Sequence, residues 1–219
     1  VIGMSFTPHA SIDRVLDAKG PAADKAYRIV LDAIAAGSAP AGALLTEGVV
    51  AEVVGMSRTP VREAFLRLNN EGLLDLYPKR GAIVTAPSTA ETAQLLEVRS
   101  MFEKAAVAWI GDRGVPYGLD EKLRGHLDAQ ANAADALEFA RSDRALHEGI
   151  VAAGGNEIAT ALFAQTGPRL LRYWHVPASD PASRERLAAE HGELVELVLS
   201  ADLPGFATKL DRHLAGARA

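Results

Sequence analysis

Cysteine is absent from the 219 residues, which excludes disulfides and thiolate metal sites from whatever this chain does. No apolar run approaches the roughly 18–20 residues of a membrane span, and no signal-peptide pattern opens the sequence. The expectation is a cytoplasmic protein with no membrane partner. Internal repeats and low-complexity tracts are missing too. Nor is there any excess of positive charge, since the formal net charge is −5. That total argues against a nucleic-acid partner until it is divided. Residues 55–85 hold five Lys and Arg against three Asp and Glu, a balance of +2 that leaves −7 for the remainder. A locally basic surface on an acidic body can still bind phosphates, because those contacts are local. The length suits one or two domains with a real core.

The most informative stretch is Gly55–Leu68, which reads as the turn and second helix of a helix-turn-helix. Gly55 can adopt positive φ, Ser57 or Thr59 can cap the next helix, and Pro60 sits in its first turn. On a 3.6-residue wheel Val61, Ala64, Phe65 and Leu68 share one face, while Arg58, Thr59, Arg62, Glu63 and Arg67 spread over the other. Such a helix can enter a major groove and offer guanidinium donors to guanine edges. The same pattern also suits an ordinary amphipathic helix with a solvated charged face, so the helix alone does not decide. The residues beyond it do. Gly72 ends the helix, and Leu74–Tyr77 and Ala82–Thr85 are β-prone runs joined by Pro78–Lys79–Arg80–Gly81. A tight hairpin tipped by the cations Lys79 and Arg80 is the wing of a winged helix. Upstream, Ala26–Ala36 reads as a helix, Gly37–Gly42 as a Gly/Pro loop and Thr46–Val54 as a short helix.

Residues 25–86 thus resemble the N-terminal domain of the GntR family of bacterial transcription regulators. The resemblance is carried by Ser57–Ala64, Leu68, Glu71–Gly72–Leu73 and Lys79–Arg80–Gly81. It implies that Arg58, Thr59 and Arg62 contact operator bases and phosphates, and that Gly81 lets the wing approach the DNA backbone. The chain departs from the family at Gly48, where an arginine is usual, and at Leu66, where a polar residue is common.

The first 24 residues, with Pro8, Gly20 and Pro21, suggest a flexible arm. A boundary falls at Ala86–Pro87, after which Ser88 and Glu91 form a capping box. From there the pattern predicts six helices and no strand, at 89–111, 119–132, 135–153, 156–175, 181–200 and 203–217. Gly167–Pro168 should kink the fourth. The fold class is therefore mainly α: a winged helix-turn-helix with a small β-hairpin wing, then an all-α six-helix bundle over 89–217.

Polar residues interrupt the apolar stripes of that bundle. Asp143 and His147 lie four apart within the stripe Phe139, Leu146, Ile150, and so share a face. His191 lies in line with Leu187, Leu194 and Val198, and His213 with Phe206, Leu210 and Leu214. The last two helices form a hairpin about Ala201–Asp202, and antiparallel packing puts His191 and His213 at nearly one level. Each histidine alone fits a satisfied core residue. Together, a buried aspartate and three imidazoles demand partners that one divalent cation can supply. With three nitrogens, one carboxylate and no sulfur, zinc is the first choice, and nickel, cobalt, manganese or iron(II) are admissible.

The second half resembles the FCD ligand-binding domain of the FadR-type branch of the same family, through Arg99, Glu103, Phe139, Asp143, His147, Gly155–Asn156, His191 and His213. The family's metal ligands fall on Asp143, His147, His191 and His213. Six helices resemble the VanR-like subgroup, and Leu146 stands where phenylalanine is common. The resemblance implies a homodimer that binds a pseudo-palindromic operator, as a repressor, and responds to a small organic acid inside the bundle. Arg99 lies on the inner stripe of its helix, where it can meet an anionic ligand or simply pair with Glu103 at i,i+4. Asn156, Arg169 and Arg172 are further effector candidates. Two rival readings stand beside this one. The metal can be purely structural, with an effector such as an acyl-CoA elsewhere, or the Asp/His site can belong to a metal-dependent hydrolase.

Overall fold

In the computed structural model the chain divides into two units, Val1–Pro87 and Ser88–Ala219. Residues 6–216 are described, with only the backbone course of 174–177. The first unit is built on the apolar face foreseen for the recognition helix. Helix α1 spans Ile12–Asp17, α2 Ala22–Ala35, α3 Glu47–Val54 and α4 Arg58–Asn70. Val61, Ala64, Phe65 and Leu68 of α4 are all buried and pack toward α2, whose Ala26, Ile29, Val30 and Ala33 are equally buried. Thr46 caps α3 by accepting from the Val49 amide, and Gly55 closes it at φ 65°, where a side chain would be strained. Ser57 occupies the cap position of α4 but makes no side-chain cap bond there.

The wing is a three-stranded antiparallel sheet in the order β1-β3-β2, with β1 Leu44–Leu45, β2 Leu74–Tyr77 and β3 Gly81–Val84. Leu74 pairs with Val84 and Tyr77 with Gly81, while Leu45 pairs with Ala82 on the other side. The expected hairpin therefore gains a third strand. Two residues beside a Gly/Pro loop show no period-2 pattern, which is why β1 is invisible in the sequence. The expected flexible arm of 1–24 also needs correction. Its described part holds α1 and the start of α2, and Phe6 and Val15 are buried, so it is packed rather than free.

The second unit is helical throughout its described residues: α5 Thr89–Arg113, α6 Leu119–Ala131, α7 Ala136–Ala153, α8 Glu157–Ala164, α9 Gly167–Ala178, α10 Pro181–Leu199 and α11 Leu203–Gly216. Side-chain caps fix four of the starts. Ser88 accepts from Glu91 N, Asp135 from Glu138 N, Asn156 from Ala159 N and Asp180 from Ser183 N. Helix α7 is central, touching α5, α6, α8 and α9, and α11 runs against both α10 and α5. The count is seven helices where six were expected. The anticipated kink at Gly167–Pro168 is a full break, because Pro168 has no N–H to continue the ladder and a new helix starts there instead. No helix among the described residues is long and apolar enough to cross a membrane.

Candidate metal centre and nucleic-acid surface

The exposed face of α4 and the wing tip line one concave groove of about 550 Å³ in the first unit. Arg58, Arg62 and Leu66 bound it from α4, and Pro78, Lys79, Arg80 and Gly81 from the wing. Arg58, Thr59, Arg62, Lys79 and Arg80 are all exposed. Arg62 Nε lies 3.9 Å from Glu47 Oε1 at the surface, a separation that solvent leaves worth little. Lys79 sits at φ 63° in the turn closed by Arg80 N donating to Tyr77 O, which carries the side chain out to the tip.

Two residues expected at the DNA surface have fold-internal roles. The Arg67 guanidinium stacks on the Tyr27 ring, 3.8 Å from its centroid, and pairs with Glu71 at 3.3 Å and Asp24 at 3.5 Å. Nine residues separate Arg67 from Arg58, half a turn out of phase, so it faces α2 instead of the groove. Gly81 is required by β1. At its φ of 119° a Cβ would stand 2.2 Å from the Leu45 carbonyl oxygen, a clash that backbone cannot relieve cheaply.

The second unit gathers its polar residues at one point. Helix α7 supplies Asp143 and His147, α10 supplies His191, and α11 supplies His213, all buried. One nitrogen from each imidazole lies within 4.8 Å of the other two. The outward nitrogens meet carboxylate and amide oxygens, which act here as acceptors. His147 Nδ1–H donates to Glu103 Oε2 at 2.8 Å, His191 Nδ1–H to Gln130 Oε1 at 2.9 Å, and His213 Nδ1–H to Glu190 Oε2 at 2.7 Å. This fixes the tautomers, so the three Nε2 lone pairs face inward.

Asp143 faces the same point. Its Oδ1 is 3.5 Å from His147 Nε2 and its Oδ2 is 3.4 Å from His191 Nε2. Asp143 Oδ1 and His191 Nε2, both buried, have no hydrogen-bond partner among the described residues. A tetrahedral ion with bonds of about 2.0–2.2 Å holds neighbouring ligand atoms roughly 3.3–3.5 Å apart, the range in which Asp143 stands from His147 and from His191, while the three imidazoles offer nitrogens within 4.8 Å of one another. Three imidazole nitrogens beside a carboxylate are a donor set whose chemistry suits a divalent cation.

Arg99 enters this centre from α5, where it makes the expected pair with Glu103 and also reaches the imidazoles. Its Nε–H donates to Glu103 Oε1 at 2.7 Å, the i,i+4 pair, while its Nη2 donates to His213 Nε2 at 3.3 Å and contacts His147 Nε2. Asn156 instead spends its Oδ1 capping α8. Arg169 lies 3.7 Å from Glu91, and Arg172 is half-buried, with burial lowering its proton affinity. Glu103, Gln130 and Glu190 support the imidazoles from outside, a role that no pattern in the sequence assigned to them. Gln130 carried a signal, since it sits seven residues after buried Leu123 on one stripe; Glu190 carried none.

Burial sets the protonation of the centre. It pushes the Asp143 carboxyl up to about 7, with Arg99 pulling the other way and Glu103 adding to the rise. Burial also drives His147 and His191 well below the usual imidazole range, and the neighbouring cations push the same way. The imidazoles are thus ready as neutral ligands, and Asp143 must give up a proton. Metal uptake at pH 6 is expected to release close to one proton per site, and at pH 8 almost none, with affinity rising between. Calorimetry in buffers of different ionisation heat counts these protons. A release at pH 6 no larger than at pH 8 would exclude Asp143 as a ligand.

Comparison with known proteins respects the same division. Residues 22–84 match the gntR family of bacterial regulatory proteins, and residues 94–216 match the FCD domain. An uncharacterised HTH-type transcriptional regulator from an unstable DNA locus of Streptomyces ambofaciens is 30% identical over 174 residues, 79% of this chain and 73% of that protein. A probable D-xylose utilization operon transcriptional repressor from Paenarthrobacter nicotinovorans is 26% identical, covering 83% of this chain and 80% of that one. The solved structure of Escherichia coli McbR/YncC superimposes with a TM-score of 0.73 at 21% identity, over 90% of this chain and 95% of the other. At that identity the likeness speaks for the fold alone.

Proposed function

We propose, from the premise that this chain belongs to the GntR family of bacterial regulatory proteins and carries an FCD domain, that it couples a metal-assisted effector site to operator binding. The chain is a DNA-binding transcriptional regulator of the FadR-like branch and not an enzyme. In the proposed reading it works in the cytoplasm as a homodimer on a pseudo-palindromic operator. A relative named as an operon repressor supports the repressive sense. The VanR-like placement rested on six helices, and the seven found speak against carrying it further.

The observation that carries the effector half is the inward meeting of Asp143, His147, His191 and His213 with their outer nitrogens already held. Asp143 and the three Nε2 atoms would hold one divalent ion, zinc by preference. Such an ion, when bound, supplies a Lewis-acid position that a carboxylate effector can fill. Arg99, with Arg169 and Arg172 as further cations, would pair with that effector's charge. Complete burial of the four ligands supports a second reading, in which the metal only staples α7, α10 and α11 together.

The DNA half rests on Arg58, Thr59 and Arg62 on α4 and Lys79 and Arg80 on the wing. Arg62→Ala is expected to weaken operator binding by on the order of 1–3 kcal/mol and to relax base preference. Lys79→Ala should weaken all sequences alike and flatten the salt dependence, as loss of a phosphate contact does. Gel shifts across a salt series distinguish the two patterns. Unchanged affinity in both variants would remove this face as the DNA surface.

A further inference from the structure

Arg99 is the largest fully buried side chain among the described residues, and its charge reaches the histidine cluster. Its Nε–H donates to Glu103 Oε1 at 2.7 Å. Its Nη2 donates to His213 Nε2 at 3.3 Å and to His147 Nε2. One nitrogen can serve both imidazoles, because Nη2 carries two N–H bonds. A neutral imidazole has one N–H and one lone pair. His147 and His213 give their Nδ1–H to Glu103 and Glu190, so the lone pair that each presents to Arg99 is the only one it has. A guanidinium has donors and no acceptor, which fixes the direction of both bonds. His191 Nε2 and Asp143 Oδ1, by contrast, have no hydrogen-bond partner among the described residues. Two of the four proposed ligands are thus held by a cation of the protein's own.

We propose that Arg99 and the metal ion are alternative occupants of the same two lone pairs: metal uptake drives Arg99 Nη2 off His147 and His213, and the arginine thereby sets how tightly the ion is held. The inference rests on the metal reading above and adds a competitor to it. A lone pair that accepts an N–H bond cannot bind an ion at the same time. An ion can engage Asp143 and His191 Nε2 without disturbing Arg99, but completes its shell only by displacing the guanidinium. Glu103 keeps that displacement from stranding a charge, which in a buried site is costly. Its Oε1 can hold the Arg99 Nε–H while its Oε2 holds the His147 Nδ1–H, in both arrangements. Released from the imidazoles, Nη2 has donors to offer an anionic effector, which places effector capture after metal uptake.

Zinc is the probe, and its affinity for the full chain is read by competition with a chelator. Arg99→Met alone would leave Glu103 buried without its cation, so Arg99→Met is combined with Glu103→Gln. The pair is removed together and the net charge of the centre does not change. Glutamine still accepts from His147 Nδ1–H, and methionine fills space with nothing to donate. The double variant is expected to hold zinc at least about tenfold more tightly than the unaltered protein, the low end of what hydrogen bonds from a charged donor contribute. Its chelator-treated form should melt lower, since Arg99 no longer ties α5 to His147 of α7 and His213 of α11. The exchange itself is read in the unaltered protein, through the arginine side-chain nitrogen and proton signals in nuclear magnetic resonance. Signals of Arg99, assigned by their loss in the double variant, should show Nη2 protons slowed by their bonds in stripped protein. Zinc should abolish or move those signals and leave the Nε–H signal in place. Zinc affinity no higher in the double variant would overturn the exchange, and so would an Nη2 signal unmoved by zinc that demonstrably binds. Zinc that binds neither protein would defeat the metal reading itself, and this inference with it.

Discussion

Replacing His191 by alanine is expected to strip the helical unit of most of its metal and to lower its melting temperature by on the order of 10 °C. The size follows from linkage. A ligand bound only by the folded state at a thousand times its dissociation constant adds about 4 kcal/mol, and a domain of this length shifts by several degrees per kcal/mol. His191 is one of the four proposed ligands and brings α10 to Asp143 of α7, with Gln130 of α6 behind it. His213→Ala should behave alike, because it removes the link from α11 that Glu190 orients. Two comparisons separate metal loss from simple cavity formation. Wild-type protein stripped by a chelator should melt close to the variants, and His126→Ala, outside the cluster on α6, should keep its metal. A His191→Ala protein with full metal content and unchanged melting would remove the centre from the account.

Asp143→Ala or His147→Ala is expected to abolish the response of operator binding to a carboxylate effector while leaving affinity in its absence nearly unchanged. An effector shifts DNA affinity only as far as it binds two arrangements of the protein unequally, typically by 1–3 kcal/mol, or about 5- to 150-fold. Removing a ligand removes that differential at its source. The exposed residues Arg58, Thr59 and Arg62 belong to the other unit. Titration of candidate acids against operator-bound protein, with fluorescence anisotropy as the readout, measures the coupling directly. An acid that releases the operator equally well from metal-free protein would leave the metal structural, and would move the effector site elsewhere in the bundle.

Elements whose signal is local were legible in the order of the residues. The face Val61, Ala64, Phe65, Leu68 is buried as its spacing required, and the Ser88 cap bond to the Glu91 amide forms. Asp143 and His147 share a face because 3.6-residue periodicity leaves them no alternative. His191 and His213 came together through a simple argument about antiparallel level, and their rings lie 4.9 Å apart. Pairings fixed only by tertiary context were not legible. The strand Leu44–Leu45 is defined solely by its partner β3. Arg67 looked like a DNA contact because it is a cation on a polar face, but Tyr27 and Asp24, some forty residues upstream, claim it. Asn156 matched a family position and proved to be a helix cap. Glu103 read as an ordinary i,i+4 partner, whereas its second oxygen accepts from His147, 44 residues away. For β1, Arg67 and Glu103 the missing information was a long-range contact, which no local period encodes.

Metal content tests the central claim most directly. Protein purified without chelators is expected to carry about one divalent ion per chain by elemental analysis, and to take up zinc to the same level after stripping. Finding no metal in that protein, and no binding when zinc is added back, would contradict the account.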